Sequence, residues 1–194
     1  MILAEKDDNV IELISYEHFK GDALISEQYF RWLENLRVTN LISSPDLILP
    51  KKKAFIEESF ERFTHKNTIG FFIRYVPEDT IIGTTKLDQI SFYKRNAMDG
   101  IMIGEPEYFG KGIARKTYRI VLAYAFNILG MERIYGGCNE HNMAMIKTYE
   151  KLGYTKEGTL RGNDYINGEY SDHFLYGILK QEFIEHNVIE LECH

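Results

Sequence analysis

Apolar side chains recur along the chain with two different periods, and each period indicates one type of secondary structure. Alternation every second residue is typical of a strand with one buried face, and recurrence every three to four residues is typical of an amphipathic helix. Stretches of the first kind predict seven strands, at residues 10–15, 68–76, 80–89, 99–103, 133–138, 154–160 and 170–179. Stretches of the second kind predict four helices, at residues 26–36, 50–63, 114–129 and 142–152.

Proline and glycine residues support the boundaries of these elements. Pro50 suits the first turn of a helix, and Gly130 and Gly153 stand where two later helices should end. Pro77-Glu78-Asp79 separates two strand patterns and predicts the turn of an antiparallel hairpin. The order β-α-α-β-β-β-α-β-α-β-β predicts an α/β protein of the α+β kind. We expect a central mixed, mostly antiparallel sheet of about seven strands, flanked by about four helices.

Length and composition limit the class of protein. A chain of 194 residues can bury one sizeable core, and we predict a single domain over residues 1–194. The net charge of −6 argues against a nucleic-acid partner, because such proteins present a basic field to the phosphate backbone. We expect a cytoplasmic location and no membrane partner, since the sequence has no signal-peptide pattern and no apolar run of about 20 residues. The two cysteines are predicted to be thiols, and the spacing of the histidines predicts no metal site.

The strongest chemical pattern is a glycine-containing junction between a predicted strand and a predicted helix, from Gly104 to Arg115. Backbone N–H groups at a helix N-terminus can bind phosphate, and glycine lets the ligand approach the backbone closely. Lys111 and Arg115 add positive charge to the same junction. The alternative is an ordinary turn in which Gly110 and Gly112 only supply positive φ angles.

Two other phosphate-binding loops are excluded by spacing. A Walker loop needs four residues between its first glycine and a Gly-Lys pair that precedes Ser or Thr. Here five residues separate Gly104 from Gly110, and Gly112 follows Lys111. A dinucleotide-binding loop needs a third glycine where this chain has Arg115.

The segment Gly110-Lys111-Gly112-Ile113-Ala114 resembles the acetyl-CoA pyrophosphate loop of the GNAT acetyltransferases, usually written Q/R-x-x-G-x-G/A. Glu107 replaces the Gln or Arg of that pattern, as in the branch that contains ribosomal-protein N-terminal and spermidine acetyltransferases. Residues 142–154, which include Asn142 and the run Tyr149-Glu150-Lys151-Leu152-Gly153, are similar to the family's Asn-x6-Tyr-Glu-Lys-Leu-Gly-Phe helix. The resemblance covers about residues 80–183.

The resemblance implies direct acetyl transfer, in which an amine attacks the thioester of acetyl-CoA without a covalent enzyme intermediate. It implies that a backbone N–H near Ile103, with Met102 adjacent, stabilises the oxyanion. Asn142 is expected to bond the pantetheine arm, with a helix N-cap as the structural alternative. The residues expected to hold the pyrophosphate are Gly110, Lys111, Gly112, Ile113, Ala114 and Arg115.

Tyr149 is the candidate general acid. A phenol, with an ordinary pKa of about 10, stays protonated at neutral pH and can protonate the departing thiolate. The structural alternative for Tyr149 is packing in the core. Glu105 is the preferred catalytic carboxylate, because it follows the oxyanion-binding strand most closely, but a water chain could replace it. The general base therefore stays open, with Asp88, Asp99, Glu107 and His173 as the other candidates.

These patterns predict an enzyme that moves an acetyl group from acetyl-CoA to a primary amine of a small molecule. Residues 32–40 loosely resemble a segment of amino-sugar and protein N-terminal acetyltransferases. An amino-sugar on a nucleotide carrier is therefore the preferred acceptor, ahead of a protein N-terminus and a polyamine. A non-catalytic acyl-CoA-binding regulatory module is the alternative from another class. A homodimer is one option for the assembly.

Overall fold

One sheet positions all the other elements of the molecule. The computed structural model describes residues 1–6, 8, 10–42, 60–63, 65–187 and 189–194. The strands in this part of the chain are β1 Ile2–Glu5, β2 Ile11–Ser15, β3 Ile69–Tyr75, β4 Thr80–Ser91, β5 Asn96–Ile103, β6 Arg133–Asn139, β7 Thr155–Ile166, β8 Glu169–Leu179 and β9 Leu191–Cys193. They form a nine-stranded sheet in the order β7-β8-β6-β5-β4-β3-β2-β1-β9. Neighbouring strands are antiparallel except β5 and β6, which are parallel.

The helices begin and end at residues whose local chemistry favours a boundary. The Asp22 carboxylate caps the first helix by accepting hydrogen bonds from the backbone N–H groups of Leu24 and Ile25. Gly153 ends the fourth helix with a φ of +89°, a left-handed conformation that glycine adopts without strain. The described helices are α1 Ala23–Glu34, α2 Leu36–Thr39, α3 Ile113–Ala123, α4 Met143–Leu152 and α5 Lys180–His186.

Alternation along β3 divides the apolar core between the two faces of the sheet. Phe71 and Ile73 are fully buried in the cluster that contains the apolar residues of α3 and α4. Phe72 points the other way and packs with Ile25 of α1. Trp32 of α1 belongs to a further buried cluster. Helices α3 and α4 therefore cover one face of the sheet, and α1 covers the opposite face.

Helix α3 has the amphipathic character that its sequence predicts. Tyr118 and Val121, which lie three residues apart on one side of this helix, are both buried. After Ala123 the helix continues as a π-helical turn, Tyr124–Ile128, and Gly130 follows with a φ of +69°. The predicted helix at residues 114–129 is therefore confirmed in place, although its last turn is wider than an α-helix.

The predicted order of elements is confirmed within the described residues, and the differences lie mainly at chain ends and strand ends. The sequence patterns do not predict β1, β9 or α2, because three or four residues are too few to display either period. They also miss α5, which follows β8 without a breaking residue. β5 begins three residues earlier than predicted, at Asn96, and β7 runs to Ile166.

The second predicted helix and the predicted single domain are tested only in part by the described residues. Residues 60–63 are helical, and the rest of the helix predicted at residues 50–63 lies outside the described residues. A single domain over residues 1–194 stays a prediction, which the unbroken run of hydrogen-bonded strands from β7 to β9 supports.

Candidate active site

The two parallel strands of the sheet separate after three residue pairs. Residues 96–98 of β5 pair with residues 133–135 of β6. Beyond them, residues 99–103 and 136–139 continue without pairing to each other across the gap. We call this gap the β5–β6 opening. Because backbone polar groups require partners, such a gap can bind a molecule that supplies them.

The edge of β5 presents backbone donors to the β5–β6 opening. The N–H of Gly104 donates to the carbonyl of Ile82 on β4 at 2.7 Å. Since successive N–H groups of an antiparallel strand point to opposite sides, the N–H of Ile103 points away from β4 and toward the opening. The side chain of Met102 packs against the α1 cluster. An oxyanion-binding role for Ile103 stays a prediction, and this orientation supports it.

The N-terminus of α3 lies just beyond the end of β5. Gly110 and Gly112 have φ angles of +74° and +76°, so both glycines satisfy the backbone geometry of a tight turn. A Cβ at either position would meet no described atom within 4 Å, so the approach to the backbone is also open. No described side chain caps α3. The N–H groups of Ile113, Ala114 and Arg115 are therefore the first-turn donors that a phosphate can use.

Polar contacts hold the start of this loop in place. The Tyr108 hydroxyl donates to Glu78 Oε2 at 2.5 Å, and this bond raises the pKa of Tyr108 to about 12. The Lys111 ammonium lies 4.8 Å from the centroid of the Tyr108 ring. Lys111, Arg115 and Glu107 are all exposed. The two cations thus border the loop, and Glu107 presents its carboxylate to solvent.

Asn142 caps the helix that follows β6. Its side-chain oxygen accepts a hydrogen bond from the N–H of Met145 at 3.1 Å, which is the N-cap role that the sequence allows. The predicted contact with the pantetheine arm therefore concerns the amide NH₂ group of Asn142, and that contact stays a prediction.

The hydroxyl of Tyr149 meets a buried carboxylate where the strands separate. Asp99 is the first residue of β5 beyond the paired section. Its Oδ1 accepts hydrogen bonds from Tyr149 at 2.8 Å and Tyr118 at 3.1 Å, and its Oδ2 accepts one from Tyr154 at 2.6 Å. Gly136 of β6 leaves space for them, since a Cβ there would lie 2.5 Å from the Tyr149 hydroxyl. We call Asp99 and its three phenols the Asp99–tyrosine cluster.

Burial controls the protonation of this cluster. It raises the pKa of Asp99 to about 6, against the opposing effect of the three phenol donors. Burial, together with the nearby Asp99 charge, raises the pKa of Tyr149 well above its ordinary value. Tyr149 therefore keeps its proton at neutral pH, as a general acid must. Its ring also stacks on Tyr176 with the centroids 4.8 Å apart, so the geometry is compatible with both catalysis and packing. The acid role stays a prediction.

Glu105 lies toward α1 rather than toward the Asp99–tyrosine cluster. Its Oε1 accepts hydrogen bonds from Trp32 Nε1 at 2.8 Å and from Gln28 Nε2 at 3.1 Å. Gln28 also donates to the carbonyl of Ile81 at 2.9 Å, which ties the group to β4. Because both donors are neutral, they stabilise the ionised carboxylate without cancelling its charge. Its role as general base stays a prediction, and the geometry suits attraction of a cation.

A histidine–carboxylate pair lies at the C-terminal end of β6. His173 Nδ1 on β8 is 2.9 Å from Asp164 Oδ2 on β7. Asn139 Nδ2 donates to the same carboxylate oxygen at 3.0 Å and to Ser171 Oγ at 2.7 Å. Asn163 donates to the other oxygen of Asp164 at 2.8 Å. Asp164 is only 3% exposed, so these contacts fix the carboxylate and the ring that it binds.

The remaining candidate base, Asp88, is already engaged in other contacts. Although burial acts to raise its pKa, hydrogen bonds from Lys86 at 2.7 Å and Thr68 at 2.9 Å bring the pKa below its ordinary value. Asp88 therefore resembles a structural ion-pair partner more than a proton acceptor.

Sequence patterns miss several residues that complete these groups. Tyr118 reaches Asp99 from α3 and Tyr154 from the residue before β7, and neither carries a local signal of that contact. Asn139 and Asp164 lie just beyond the strands predicted at residues 133–138 and 154–160, so the sequence gives no sign that either is buried and bonded within the sheet. Only the assembled sheet identifies those partners.

A glycine loop at a helix start, an opening between parallel strands and a buried phenol on the next helix together define the class of acyl-CoA-dependent acyltransferases. A family model described as an acetyltransferase (GNAT) domain matches residues 23–155. The chain belongs to this family.

Comparisons with individual proteins agree with this assignment. The spermidine N(1)-acetyltransferase of Vibrio cholerae is 32% identical over 129 residues, which are 66% of this chain and 74% of that protein. The spermidine N(1)-acetyltransferase of Escherichia coli K12 is 32% identical over 134 residues, which are 68% and 71% of the two chains. A crystal structure of the Vibrio cholerae spermidine N-acetyltransferase with CoA and spermine has a TM-score of 0.78. It is 24% identical and covers 91% of this chain and 99% of that chain, so its likeness concerns the fold.

Family membership makes this chain an acetyl-CoA-dependent N-acetyltransferase with acetyl-CoA as co-substrate. The predicted family, enzyme class and fold class are confirmed. Within the described ranges, no helix has the length and apolar character to cross a bilayer. The described residues also contain no group of three His, Cys, Asp or Glu side chains that could hold a metal ion.

Proposed function

We propose that this enzyme acetylates a primary amine of a small polyamine, by direct attack of the amine on acetyl-CoA within a ternary complex. The observation that carries the proposal is the similarity to two spermidine N(1)-acetyltransferases over about two thirds of the chain. The amino-sugar favoured by the sequence alone has no support in these comparisons, so the polyamine takes its place. A homodimer and a cytoplasmic location stay predictions.

The charge of the protein suits a polycationic acceptor. The chain has a net charge of −6, which attracts cations over long distances. Locally, Glu105 presents a carboxylate whose hydrogen-bond donors are the neutral side chains of Trp32 and Gln28. A polyamine ammonium group can pair with this carboxylate while the polyamine's terminal amine approaches the β5–β6 opening.

A second set of groups around the β5–β6 opening can bind and activate the acetyl-CoA co-substrate. Residues 110–115 offer backbone donors and two cations to the pyrophosphate. The amide of Asn142 can bond the pantetheine arm, and the N–H of Ile103 can stabilise the oxyanion that forms when the amine attacks. As the C–S bond breaks, the Tyr149 hydroxyl can protonate the CoA thiolate.

An acceptor panel tests the choice of substrate. Purified protein with acetyl-CoA is given spermidine, spermine, a peptide with the N-terminal sequence of a ribosomal protein, or glucosamine, and thiol release is followed. We expect kcat/KM for a polyamine to exceed that for the peptide by at least about tenfold, or about 1.4 kcal/mol of transition-state binding. Equal or faster turnover of the peptide would contradict the polyamine proposal. Binding of acetyl-CoA without thiol release for any amine would favour the regulatory module.

A further inference from the structure

The imidazole of His173 and the phenol of Tyr149 flank one dipeptide of β6. A Cβ at Gly136 would lie 2.5 Å from the Tyr149 hydroxyl, and a Cβ at Gly137 would lie 2.5 Å from His173 Nε2. Consecutive residues of a strand face opposite sides of the sheet, so the two groups approach β6 from opposite sides. Both glycines belong to the section of β6 that borders the β5–β6 opening. A reacting group at this point of the opening would have a phenol on one side and an imidazole on the other.

The orientation of the His173 ring leaves the correct nitrogen for accepting a proton. Nδ1 points to Asp164 on β7 at 2.9 Å, on the side of the ring away from the opening. With the proton on Nδ1 and donated to the carboxylate, the lone pair of the neutral ring is on Nε2. Nε2 is the atom that lies over Gly137. Asp164 thus does for His173 what a carboxylate does for the histidine of a catalytic triad, by fixing both tautomer and direction.

The surroundings of the ring are suited to this role. The Asp164 side chain is 2% exposed and the His173 side chain is 20% exposed, so the carboxylate is shielded while the ring can exchange protons with water. Among the residues that the structure describes, Asp164 is the charged side chain within hydrogen-bonding distance of the ring. The nearby Lys156 ammonium lies over the ring of Phe174, the residue next to His173 whose side chain faces the other side of the sheet.

We propose that His173, oriented by Asp164, is the general base that takes the proton from the acceptor amine; this assignment rests on the proposed function. The amine nitrogen forms a bond to the acetyl carbonyl carbon, and its proton passes to His173 Nε2. The C–S bond breaks, and the CoA thiolate takes a proton from Tyr149. His173 then releases its proton to water, and the Tyr149 phenolate regains one from solvent, so both residues return to their starting states. The products are one acetylated amine and one free CoA thiol.

The other candidate bases have contacts that suit them less well to this step. Asp99 already accepts hydrogen bonds from three phenols, so its oxygens are occupied by other donors. Asp88 is paired with Lys86, and Glu105 is bonded to Trp32 and Gln28 on the α1 side. His173 combines a partially exposed ring with a fixed tautomer.

The substitution His173→Gln tests the proposal, because an amide retains a donor for Asp164 but cannot act as a base. We expect kcat for a polyamine to fall by about 10²–10⁴-fold, with the KM for acetyl-CoA little changed. His186→Gln is the matched control: this exposed histidine lies on α5, beyond the far end of β8, and its loss should leave turnover within about twofold of the parent.

A second substitution, Asp164→Asn, keeps the test decisive if His173→Gln folds poorly. It should lower kcat less than His173→Gln does, with the KM for acetyl-CoA little changed, because the base remains but loses its orienting charge. Thermal stabilisation by acetyl-CoA verifies that each variant is folded and binds the co-substrate. Parent-like turnover of folded His173→Gln would overturn the assignment while the proposed function stands. Absence of turnover by the parent with every amine would instead overturn the proposed function.

Discussion

Asp99 would be an isolated charge in the middle of the sheet without its three phenol partners. An ionised carboxylate in a buried site is costly, and hydrogen bonds from Tyr118, Tyr149 and Tyr154 offset only part of that cost. The pKa of Asp99, raised by burial to about 6, reflects this incomplete compensation. The cluster therefore lies near the balance between a neutral and a charged state, next to the residue predicted to donate a proton.

The substitution Asp99→Asn should change the pH dependence of stability in a definite direction. The folded-state pKa of about 6 lies above the ordinary value of 3.8, so the folded protein holds a proton that the unfolded chain releases. Rising pH between about 4 and 6 thus weakens the parent, by roughly 3 kcal/mol from this group alone.

The amide introduced by Asp99→Asn would stay neutral, so the stability of the variant relative to the parent should rise across that interval. Denaturant unfolding of both proteins at pH 4 and pH 7 measures the difference, from which other titrating groups cancel. A difference that stays constant with pH would contradict the buried, proton-binding state of Asp99.

The substitution Tyr149→Phe separates catalysis from packing, because it removes the hydroxyl and keeps the ring. We expect turnover to fall by about 10²-fold, the lower end for a lost general acid, because a thiolate can leave without help more readily than most groups. The KM for acetyl-CoA should change little. Tyr176→Phe is the control, since this ring stacks on Tyr149 but does not donate to Asp99. Equal turnover of Tyr149→Phe and the parent, measured where chemistry limits the rate, would assign Tyr149 to the core.

At the scale of single residues, sequence patterns identify a chemical type but not its partners. Asn142 and Tyr149 are recognisable because a family motif places them at fixed positions on one helix. The capping bond of Asn142 follows from local geometry and is predictable. The hydrogen bond from Tyr149 to Asp99 is not predictable from the sequence, because it depends on how α4 packs over a strand 50 residues earlier.

At the scale of elements, the junction of β5 and α3 combines two functions of glycine. Gly110 and Gly112 adopt positive φ angles that other residues avoid, and the space beside them is open. The observed geometry is therefore compatible with both a turn and a phosphate site. A left-handed backbone turns the chain into the helix, and the missing Cβ atoms leave its first N–H groups accessible.

The substitution Gly112→Val should sharply weaken acetyl-CoA binding. Valine has a β-branched side chain that disfavours the φ of +76°, and it occupies the space where the pyrophosphate should approach. Calorimetry should give a dissociation constant at least about tenfold higher than that of the parent. The thermal midpoint of the free variant shows whether the fold is retained. Unchanged affinity in a folded Gly112→Val variant would mean that the loop glycines are only structural.

Other element-level features have physical reasons to escape sequence analysis. β1 and β9 are too short to show a period, and part of their stabilisation comes from pairing with each other at the end of the sheet. The separation of β5 from β6 is also invisible, since residues 99–103 and 136–139 keep the composition of ordinary strands. Whether two strands pair depends on neighbouring elements, and no local pattern specifies it.

At the scale of the whole molecule, the candidate residues for the two substrates lie on opposite faces of the sheet. The Asp99–tyrosine cluster lies on the α3–α4 side, while Glu105 contacts α1 and His173 lies over Gly137 on the opposite side of β6. The opening between β5 and β6 joins the two sides. The proposed mechanism therefore assigns the thioester and its leaving group to one side, and the amine with its proton acceptor to the other.

The predicted order of strands and helices fits this molecule well, because long amphipathic helices and hairpin strands carry strong periodic signals. The acceptor predicted from the sequence, an amino-sugar, has no support in the comparisons. Residues 32–40 led to an amino-sugar, although Trp32 serves to bury its ring in the α1 cluster and to bond Glu105. A segment with such a structural role gives weak information about substrate.

Direct acetyl transfer from acetyl-CoA to a polyamine can be tested by a single stoichiometric measurement. Purified protein is incubated with acetyl-CoA and spermidine, and the free CoA thiol and the N-acetylated amine are quantified together by mass spectrometry. We expect both products to accumulate with enzyme-dependent rates and in equal amounts. Release of thiol without acetylated spermidine, or no release above the uncatalysed rate, would contradict it.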